Sequence, residues 1–188
     1  MIVENLIREN IKLLKPYSSA REEFKNGASN LVYLDANENP FETMVNRYPD
    51  PLQTEVKKAI SAVKNVEIDQ LYLSNGSDEF ISQIIMGCCE PGEDQIMIVP
   101  PTFGMYKVAA ALHGVGVREV PLTSAFQLDV KAILQAADQK TKLLFIPNPN
   151  NPTGSLLNRA GLEEITAIAK EVDAWVLCDE VYRGTDQA

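Results

Sequence analysis

The most constraining feature of this 188-residue chain is a regular alternation of short apolar runs with helical patterns, which begins at Leu71. The apolar runs show little polar alternation, which is typical of parallel strands that are covered on both faces. Strands that alternate with helices form doubly wound layers. We therefore predict an α/β fold of three layers around a mostly parallel sheet. The predicted strands are residues 71–73, 96–99, 115–120, 143–146 and 175–178.

Apolar residues at helical spacing predict the other elements. The predicted helices are residues 6–14, 54–63, 78–88, 106–112, 130–137 and 159–172. A further short strand is predicted at residues 31–34, before a turn-rich segment that ends at Pro40. The chain stops a few residues after its last apolar run, and no helix is left to cover that strand. Because a bare sheet edge is a liability, we expect this chain to be the front part of a longer protein.

The charge balance excludes several classes of partner. Seventeen Lys and Arg against 26 Asp and Glu give a net charge of -9. An acidic surface repels phosphodiester backbones and anionic lipid heads, so we expect neither nucleic acid nor membrane binding. No apolar run approaches the roughly 18 to 20 residues that would span a bilayer.

The cysteines and the single histidine restrict the chemistry further. Cys88, Cys89 and Cys178 form neither a disulfide framework nor a metal-binding spacing, so we predict reduced thiols, no metal site and a cytoplasmic location. His113 is the only histidine, so it is the one candidate for the base of a Ser-His-Asp triad. We interpret His113 as a helix-end or packing residue.

Two turn segments that follow predicted strands carry candidate binding residues, because ligands of doubly wound folds lie beyond the carboxyl ends of the strands. In residues 74–79, Gly76 permits a tight turn, and Asn75 or Ser77 can cap the following helix. The amides at that helix start suit a phosphate, although a plain capped turn is the simpler interpretation. In residues 100–106, Phe103 can stack on a flat heterocycle or serve as a core aromatic.

Two later turns present polar side chains at the same sheet edge. Residues 148–154 contain two prolines and three asparagines, which indicate a rigid loop that presents amides. Asp179 follows an apolar strand, and Tyr182 lies three residues further on. A carboxylate at that position is costly unless it has a cationic partner. Together, an acid, an amide, a phenol, a stacking ring and a phosphate cradle match a phosphorylated, protonated heteroaromatic ring.

The series of motifs resembles the fold-type I, pyridoxal-phosphate-dependent aminotransferases, and within them the histidinol-phosphate branch. The sequence Asn-Asn-Pro-Thr-Gly at residues 150–154 is specific for the aminotransferase class. Asn-Glu-Asn-Pro at residues 37–40 and Arg-Tyr-Pro at residues 47–49 point to the histidinol-phosphate branch. The other matching segments are residues 8–10, 15–17, 74–79, 89–92 and 100–106.

The resemblance implies roles for residues at the cofactor, pyridoxal 5'-phosphate. Asp179 would pair with the pyridinium nitrogen and keep it protonated, so that the ring accepts electrons. Asn151 and Tyr182 would hydrogen-bond the phenolate oxygen of the ring, and Phe103 would stack on its face. The cofactor phosphate would be held at a helix start by Gly76, Ser77 and Asp78.

The resemblance also implies a homodimer, substrate-side residues and a catalytic lysine that lies outside this sequence. Tyr48 would reach the phosphate of the neighbouring subunit's cofactor, which implies a homodimer. Tyr17 and Asn37 would lie on the substrate side. The family's Schiff-base lysine lies beyond Ala188, so the catalytic residue is unknown here. By resemblance, residues 1–50 are an amino-terminal arm, residues 51–188 are an incomplete cofactor-binding large domain, and the small carboxy-terminal domain is absent.

The implied reaction is transfer of an amino group between histidinol phosphate, or a related amino acid, and 2-oxoglutarate, as a step of histidine biosynthesis. Without the lysine, the 188 residues alone are expected to be inactive. Two alternatives stay open at this point. One is a pyridoxal-phosphate decarboxylase or lyase, such as threonine-phosphate decarboxylase, and the other is a non-catalytic module that forms a dimer or holds a ligand.

Overall fold

The computed structural model describes residues 3–17, 34 and 36–184 of the chain. Within these ranges the helices are α1 (Glu9–Lys12), α2 (Thr54–Lys64), α3 (Ser77–Cys88), α4 (Met105–Leu112), α5 (Val130–Ala136) and α6 (Arg159–Glu171). The strands are β1 (Gln95–Ile98), β2 (Gly116–Glu119), β3 (Thr141–Pro147) and β4 (Trp175–Asp179). Short 3-10 turns are formed by Val3–Leu6 and Ile68–Gln70. The predicted strand at 31–34 lies outside the described residues, apart from Leu34.

The four strands form one parallel sheet in the order β2-β1-β3-β4. Parallel neighbours need a crossover connection. Here α4 connects β1 to β2, α5 connects β2 to β3, and α6 connects β3 to β4. The strand order reverses direction after β2, so β1 and β3 lie side by side in the middle of the sheet. The predicted α/β class with a mostly parallel sheet is confirmed.

The two faces of the sheet bury separate hydrophobic cores, because successive residues of a strand point to opposite faces. On one face, α3 and α4 cover Ile96, Ile98, Leu143 and Phe145. On the other face, α5 and α6 cover Met97, Leu144 and Ile146. Each fully buried side chain of this kind contributes about 1.5 to 3 kcal/mol through its removal from water. These two helical layers around the sheet are the predicted three-layer arrangement.

The prediction that strands are covered on both faces is wrong for β2, whereas for β4 no covering helix was predicted. In β2 three of the four residues are exposed, and β4 is only half-buried along most of its length. Both strands lie at edges of the four-stranded sheet that the described residues form. Charged side chains at Arg118 and Glu119 suit the exposed β2, since charge on an edge strand opposes pairing with another chain.

The amino-terminal helix predicted at residues 6–14 is shorter than expected. Only Glu9–Lys12 is α-helical, and Leu13 and Leu14 are exposed. The backbone N–H of Arg8 donates to the Gly87 oxygen at 3.0 Å, and its guanidinium forms two hydrogen bonds with Glu90. These contacts with the end of α3 hold Arg8 in an extended conformation, so the helix begins only after it.

The strand predicted at residues 71–73 is not formed. These residues follow the 3-10 turn at Ile68–Gln70 and pair with no strand among the described residues. Tyr72 is exposed, and its two neighbours are only half-buried. An apolar run becomes a strand only when a neighbouring strand supplies its hydrogen bonds. The local pattern of residues 71–73 does not show whether such a neighbour exists.

The chain divides into two compact units, Met1–Leu13 with Ser74–Ala188 and Leu14–Leu73. The first unit contains the sheet and its covering helices, and the second contains α2. The predicted division at residue 50 was based on motifs rather than on compactness, and it stays a prediction. No helix in the described ranges is long and apolar enough to cross a lipid bilayer.

Candidate functional site

A cavity of about 250 Å³ opens at the carboxyl ends of β3 and β4, beside the amino terminus of α3. Four separate turn segments reach this cavity. Seven of the predicted cofactor-binding residues line it: Gly76, Ser77, Asp78, Phe103, Asn151, Asp179 and Tyr182. The remaining lining residues are Asn75, Pro147, Pro149 and Val181. Parallel strands bring their carboxyl ends to one edge of a sheet, which explains why the turns after β1, β3 and β4 meet here, where the start of α3 also lies.

The backbone at Gly76 turns the chain into α3. Gly76 has φ 79° and ψ 174°, a conformation that is essentially restricted to glycine. A Cβ atom there would meet nothing within 4 Å, so the constraint is conformational and not steric. The turn leaves the first amides of α3 at the edge of the cavity, where a helix start favours an anion.

The predicted capping of α3 by Asn75 or Ser77 is wrong. Gly76 is the N-cap residue, and no described side chain makes a cap hydrogen bond there. Instead, the Glu79 carboxylate reaches back and accepts hydrogen bonds from the backbone N–H and the side-chain amide of Asn75. The backbone hydrogen bond from Asn75 is the main cause that lowers the pKa of Glu79. A residue in the first turn of α3 therefore stabilises the turn that precedes the helix. No described side chain caps the start of the helix beside the cavity.

Phe103 belongs to a group of three aromatic rings that contact one another in sequence. Phe103 lines the cavity, and the edge of its ring meets Tyr106 with the centroids 5.6 Å apart at 86°. Tyr106 in turn stacks on Phe145 of β3 at 4.7 Å and 24°. Phe103 was predicted from the sequence, whereas Tyr106 and Phe145 were not. The available signal was an aromatic residue three positions after Phe103, on the face of α4 that turns toward the core.

Asp179, the last residue of β4, is held by two neutral donors. The Tyr106 hydroxyl donates to its Oδ2 at 2.6 Å, and the Val181 N–H donates to its Oδ1 at 3.1 Å. The cationic partner that the sequence predicts for Asp179 is the ring nitrogen of the cofactor, and that pairing stays a prediction. Tyr106 is fully buried, and burial, followed by the hydrogen bond to Asp179, raises the pKa of its phenol. Tyr106 therefore stays a hydrogen-bond donor to the carboxylate.

The amide and the phenol predicted to act together do lie together. The Asn151 side-chain amide donates to the Tyr182 hydroxyl at 3.3 Å. Asn151 belongs to the loop after β3, and Tyr182 belongs to the turn after β4. The cavity thus has a polar corner beside Asp179, formed by an amide and a hydroxyl.

Asn150, which the sequence analysis did not single out, ties two of the cavity loops together. It is 2% exposed, and its side-chain amide donates to the Pro101 oxygen at 2.9 Å and to the Thr153 hydroxyl at 2.8 Å. The first hydrogen bond reaches the loop that carries Phe103, and the second stays within the loop that carries Asn151. The buried Asn150 Oδ1 has no hydrogen-bond partner among the described residues. The density of asparagines in this loop was the signal.

Three predicted residues belong to the second compact unit and are not among the residues that line the cavity. Tyr17 is 91% exposed, Asn37 is exposed, and Tyr48 is 64% exposed. The backbone N–H of Tyr48 donates to a Glu38 carboxylate oxygen at 2.7 Å. Their predicted roles toward a substrate or a neighbouring subunit stay predictions.

The histidine and the three cysteines are not among the described residues that line the cavity. His113 is the C-cap residue of α4, and its Nε2 lies 2.8 Å from the Ser82 hydroxyl on α3, as the structural interpretation expects. Burial raises the pKa of Cys88 to about 11 and that of Cys89 to about 12, so both thiols stay protonated. Cys178 is also a free thiol. No group of three or more His, Cys, Asp or Glu in the described ranges could hold a metal ion.

Comparison with known proteins shows that this chain is similar to histidinol-phosphate aminotransferases. Histidinol-phosphate aminotransferase of Cytophaga hutchinsonii is 48% identical over 184 residues, which are 96% of this chain and 51% of that protein. The enzyme of the same name in Bacteroides thetaiotaomicron is 45% identical over 186 residues, which are 99% of this chain and 53% of that protein. The chain spans about half the length of these curated relatives.

Solved structures give the same result for the fold. N-succinyldiaminopimelate aminotransferase from Mycobacterium tuberculosis matches with a TM-score of 0.67 at 30% identity, over 73% of this chain and 38% of that one. Histidinol-phosphate aminotransferase from Clostridium acetobutylicum matches with a TM-score of 0.62 at 26% identity, over 71% of this chain and 38% of that one. The family model for aminotransferase class I and II matches residues 29–186. With most of its length matched in this way, the chain belongs to the class I and II aminotransferase family.

Proposed function

We propose that the native polypeptide carrying this sequence is a pyridoxal-phosphate-dependent aminotransferase. The observation that carries the proposal is the convergence of seven candidate residues from separate turns on one cavity. Membership in the aminotransferase family supports it independently. A plain α/β scaffold would not need an acid, an amide, a phenol and an aromatic ring at one sheet edge.

The residues of the cavity fit this cofactor. Pyridoxal phosphate combines an anionic phosphate, a flat ring and a ring nitrogen that can be protonated. The uncapped start of α3 suits the phosphate, Phe103 offers an aromatic face, and Asp179 offers a carboxylate. When bound, the cofactor supplies a protonated pyridine ring that withdraws electrons from the substrate carbon.

The chain's own residues would divide the work of holding the cofactor. Asp179 would keep a proton on the ring nitrogen, and Asn151 and Tyr182 would donate hydrogen bonds to the ring oxygen. Phe103 would cover one face of the ring and exclude water from it. The phosphate would accept hydrogen bonds at the start of α3, from Gly76, Ser77 and Asp78.

The proposed substrates are histidinol phosphate, or a closely related amino compound, and 2-oxoglutarate, in a step of histidine biosynthesis in the cytoplasm. The support is the identity of 48% and 45% with proteins named histidinol-phosphate aminotransferase. Tyr17 and Asn37 are the candidates for substrate contact, and their exposure leaves them accessible to a small molecule. The alternatives of a decarboxylase or a non-catalytic module have no observation of their own that favours them.

We also propose a homodimer in which Tyr48 reaches the cofactor phosphate of the neighbouring subunit. Tyr48 is 64% exposed, so it is accessible for such a contact. Residues 1–188 alone should not catalyse transfer, since no lysine is among the described residues that line the cavity.

The experiment that tests the function uses the native polypeptide with pyridoxal phosphate. Formation of glutamate from 2-oxoglutarate is measured with histidinol phosphate as donor, and release of carbon dioxide is measured with threonine phosphate. We expect glutamate to form without carbon dioxide release. Carbon dioxide release without glutamate would favour the lyase, and neither activity in a preparation that binds the cofactor would favour the non-catalytic module. A parallel assay of residues 1–188 alone should give only background transfer.

A further inference from the structure

A buried phenol contacts Asp179, which lines the candidate cofactor cavity. Tyr106 is 0% exposed and donates its hydroxyl hydrogen to Asp179 Oδ2 at 2.6 Å. A second cavity of about 330 Å³ has both Tyr106 and Asp179 in its wall, whereas the described lining of the candidate cofactor cavity includes Asp179 but not Tyr106. Tyr106 therefore acts on a ligand only through another residue.

We infer that Tyr106 is the positioning residue for Asp179, and that it aims the carboxylate at the ring nitrogen of the bound cofactor. The inference rests on the proposed function, because it assigns a role toward the cofactor that the function requires. It assigns to α4 a part in recognising the ring, although Asp179 itself belongs to β4.

The carboxylate of Asp179 is fixed by donors from two different elements. Tyr106 on α4 binds Oδ2, and the N–H of Val181, just after β4, binds Oδ1 at 3.1 Å. The backbone is also fixed, because the Asp179 carbonyl accepts a hydrogen bond from the Asn148 N–H at 2.9 Å. A carboxylate that is already oriented loses little conformational freedom when it binds a cationic nitrogen, so its affinity for that nitrogen is higher.

The position of the Tyr106 hydroxyl is itself fixed by its ring. Phe145 stacks on one face of the ring at 4.7 Å, and Phe103 meets it edge-on at 5.6 Å. Phe103 also lines the candidate cofactor cavity. One tyrosine thus connects the carboxylate that would bind the ring nitrogen with the aromatic residue that would cover the ring. Because burial raises the pKa of its phenol, Tyr106 remains a donor throughout the neutral range.

A buried tyrosine that only stabilises the fold would have different effects from a positioning residue. Tyr106→Phe keeps the stacked ring and removes only the hydroxyl. If Tyr106 acts through Asp179, the loss should concern only ligands with a ring nitrogen. If Tyr106 merely supports the fold, the loss should be the same for any ligand of the cavity.

The test measures equilibrium binding by the native polypeptide of two probes, pyridoxal phosphate and its 1-deaza analogue, in which carbon replaces the ring nitrogen. Tyr106→Phe should weaken binding of pyridoxal phosphate about tenfold, the size expected when a hydrogen bond to a charged group is lost. Binding of the deaza analogue should change less than about twofold, a difference near the limit of what a mutant comparison separates. Asp179→Asn should show the same selectivity, and the double variant should be no weaker than Asp179→Asn alone.

The control is Tyr72→Phe, which removes a phenol hydroxyl from an exposed tyrosine that is not among the described residues lining either cavity, and which should leave both affinities unchanged. Equal weakening of both probes by Tyr106→Phe, or additive losses in the double variant, would overturn the positioning role while leaving the proposed function intact. If the unsubstituted polypeptide binds neither probe, the proposed function fails, and the positioning role fails with it.

Discussion

The two ends of the candidate cavity are built in different ways. The end at Gly76 consists of one short turn and a helix start, and its main fastening joins Asn75 to Glu79, four residues apart. The end at Asp179 depends on a hydrogen bond from Tyr106, 73 residues earlier in the chain. The first end is local backbone geometry, and the second is a network of buried side chains. We call them the phosphate end and the ring end, after the groups they are proposed to bind.

The phosphate end is held rigid by its backbone conformation, whereas the ring end is held rigid by packed side chains. A turn with a restricted backbone conformation positions amides without help from the core. Side chains such as Asp179 need neighbours that are themselves packed, and here those neighbours belong to the hydrophobic core that includes Tyr106 and Phe145. Substitutions in the core should therefore affect the ring end, and substitutions in the turn should affect the phosphate end alone.

The largest effect is expected for Phe145→Ala. Phe145 is 2% exposed and stacks on Tyr106, so its removal leaves a cavity beneath the ring end. The free energy of unfolding should fall by about 3 to 5 kcal/mol, measured by urea denaturation. The control Leu112→Ala, at a 77% exposed position of α4, should change it by less than about 0.5 kcal/mol. Equal losses in both variants would show that the aromatic group is not a packed core.

Gly76→Ala should have the next largest effect, and it tests the phosphate end. The φ of 79° and ψ of 174° would be retained at a cost of about 1 to 3 kcal/mol in an alanine. Gly87, inside α3, has ordinary helical geometry and open space around its Cα, so Gly87→Ala should be neutral or stabilising by up to about 1 kcal/mol. Thermal unfolding of both variants gives the comparison. Destabilisation by Gly87→Ala and not by Gly76→Ala would refute the conformational argument.

Asn150→Ala should destabilise the chain by about 1 to 2 kcal/mol, because two hydrogen bonds of about 0.5 to 1.5 kcal/mol each are lost. The loss is moderated because the variant also removes a buried oxygen that has no partner among the described residues. Asn10→Ala, at an exposed position of α1, is the matched control and should be near neutral. Chemical denaturation measures both. A neutral Asn150→Ala would mean that the two cavity loops are held by other contacts.

The features of the site that depend on local sequence were predictable, and those that depend on contacts between distant segments were not. The turn at Gly76, the ring of Phe103 and the acid at Asp179 were each identified because they stand in local patterns that follow a predicted strand, although the strand predicted before Gly76 is not formed. Their meeting at one edge followed from the general behaviour of parallel strands. The fold class was predictable for the same reason, since alternation of strands and helices is visible along the chain.

The contacts between distant segments were not predictable. The hydrogen bond from Tyr106 to Asp179 was missed, because no local pattern relates residues 73 positions apart. The bond from Asn150 to Pro101 spans 49 residues and was missed for the same reason. The capping of α3 was wrong in a different way. Asn75 and Ser77 are residue types that commonly cap helices, but in the folded turn Asn75 donates to Glu79, and no described side chain caps the helix start.

The smallest effect is expected at the phosphate end in acid. Because its hydrogen bonds with Asn75 lower the pKa of Glu79 below the ordinary value of 4.5, the folded state binds this proton less readily than the unfolded state does. The contribution of Glu79 to stability is therefore present above pH 4.5 and is lost as the pH falls through the lowered pKa. Glu79→Gln should lower the melting temperature slightly at pH 7, and the difference from the unsubstituted chain should shrink as the pH falls below 4.5.

The control for this prediction is Glu164→Gln, at an exposed position of α6, which removes a carboxylate without touching the turn. Its melting-temperature difference should be smaller than that of Glu79→Gln at pH 7. Binding of the deaza analogue and of pyridoxal phosphate should weaken equally in Glu79→Gln, since the phosphate end does not distinguish the ring atoms. If Glu79→Gln weakened binding of pyridoxal phosphate more than binding of the deaza analogue, the phosphate end would influence recognition of the ring nitrogen. The two ends would then not be independent.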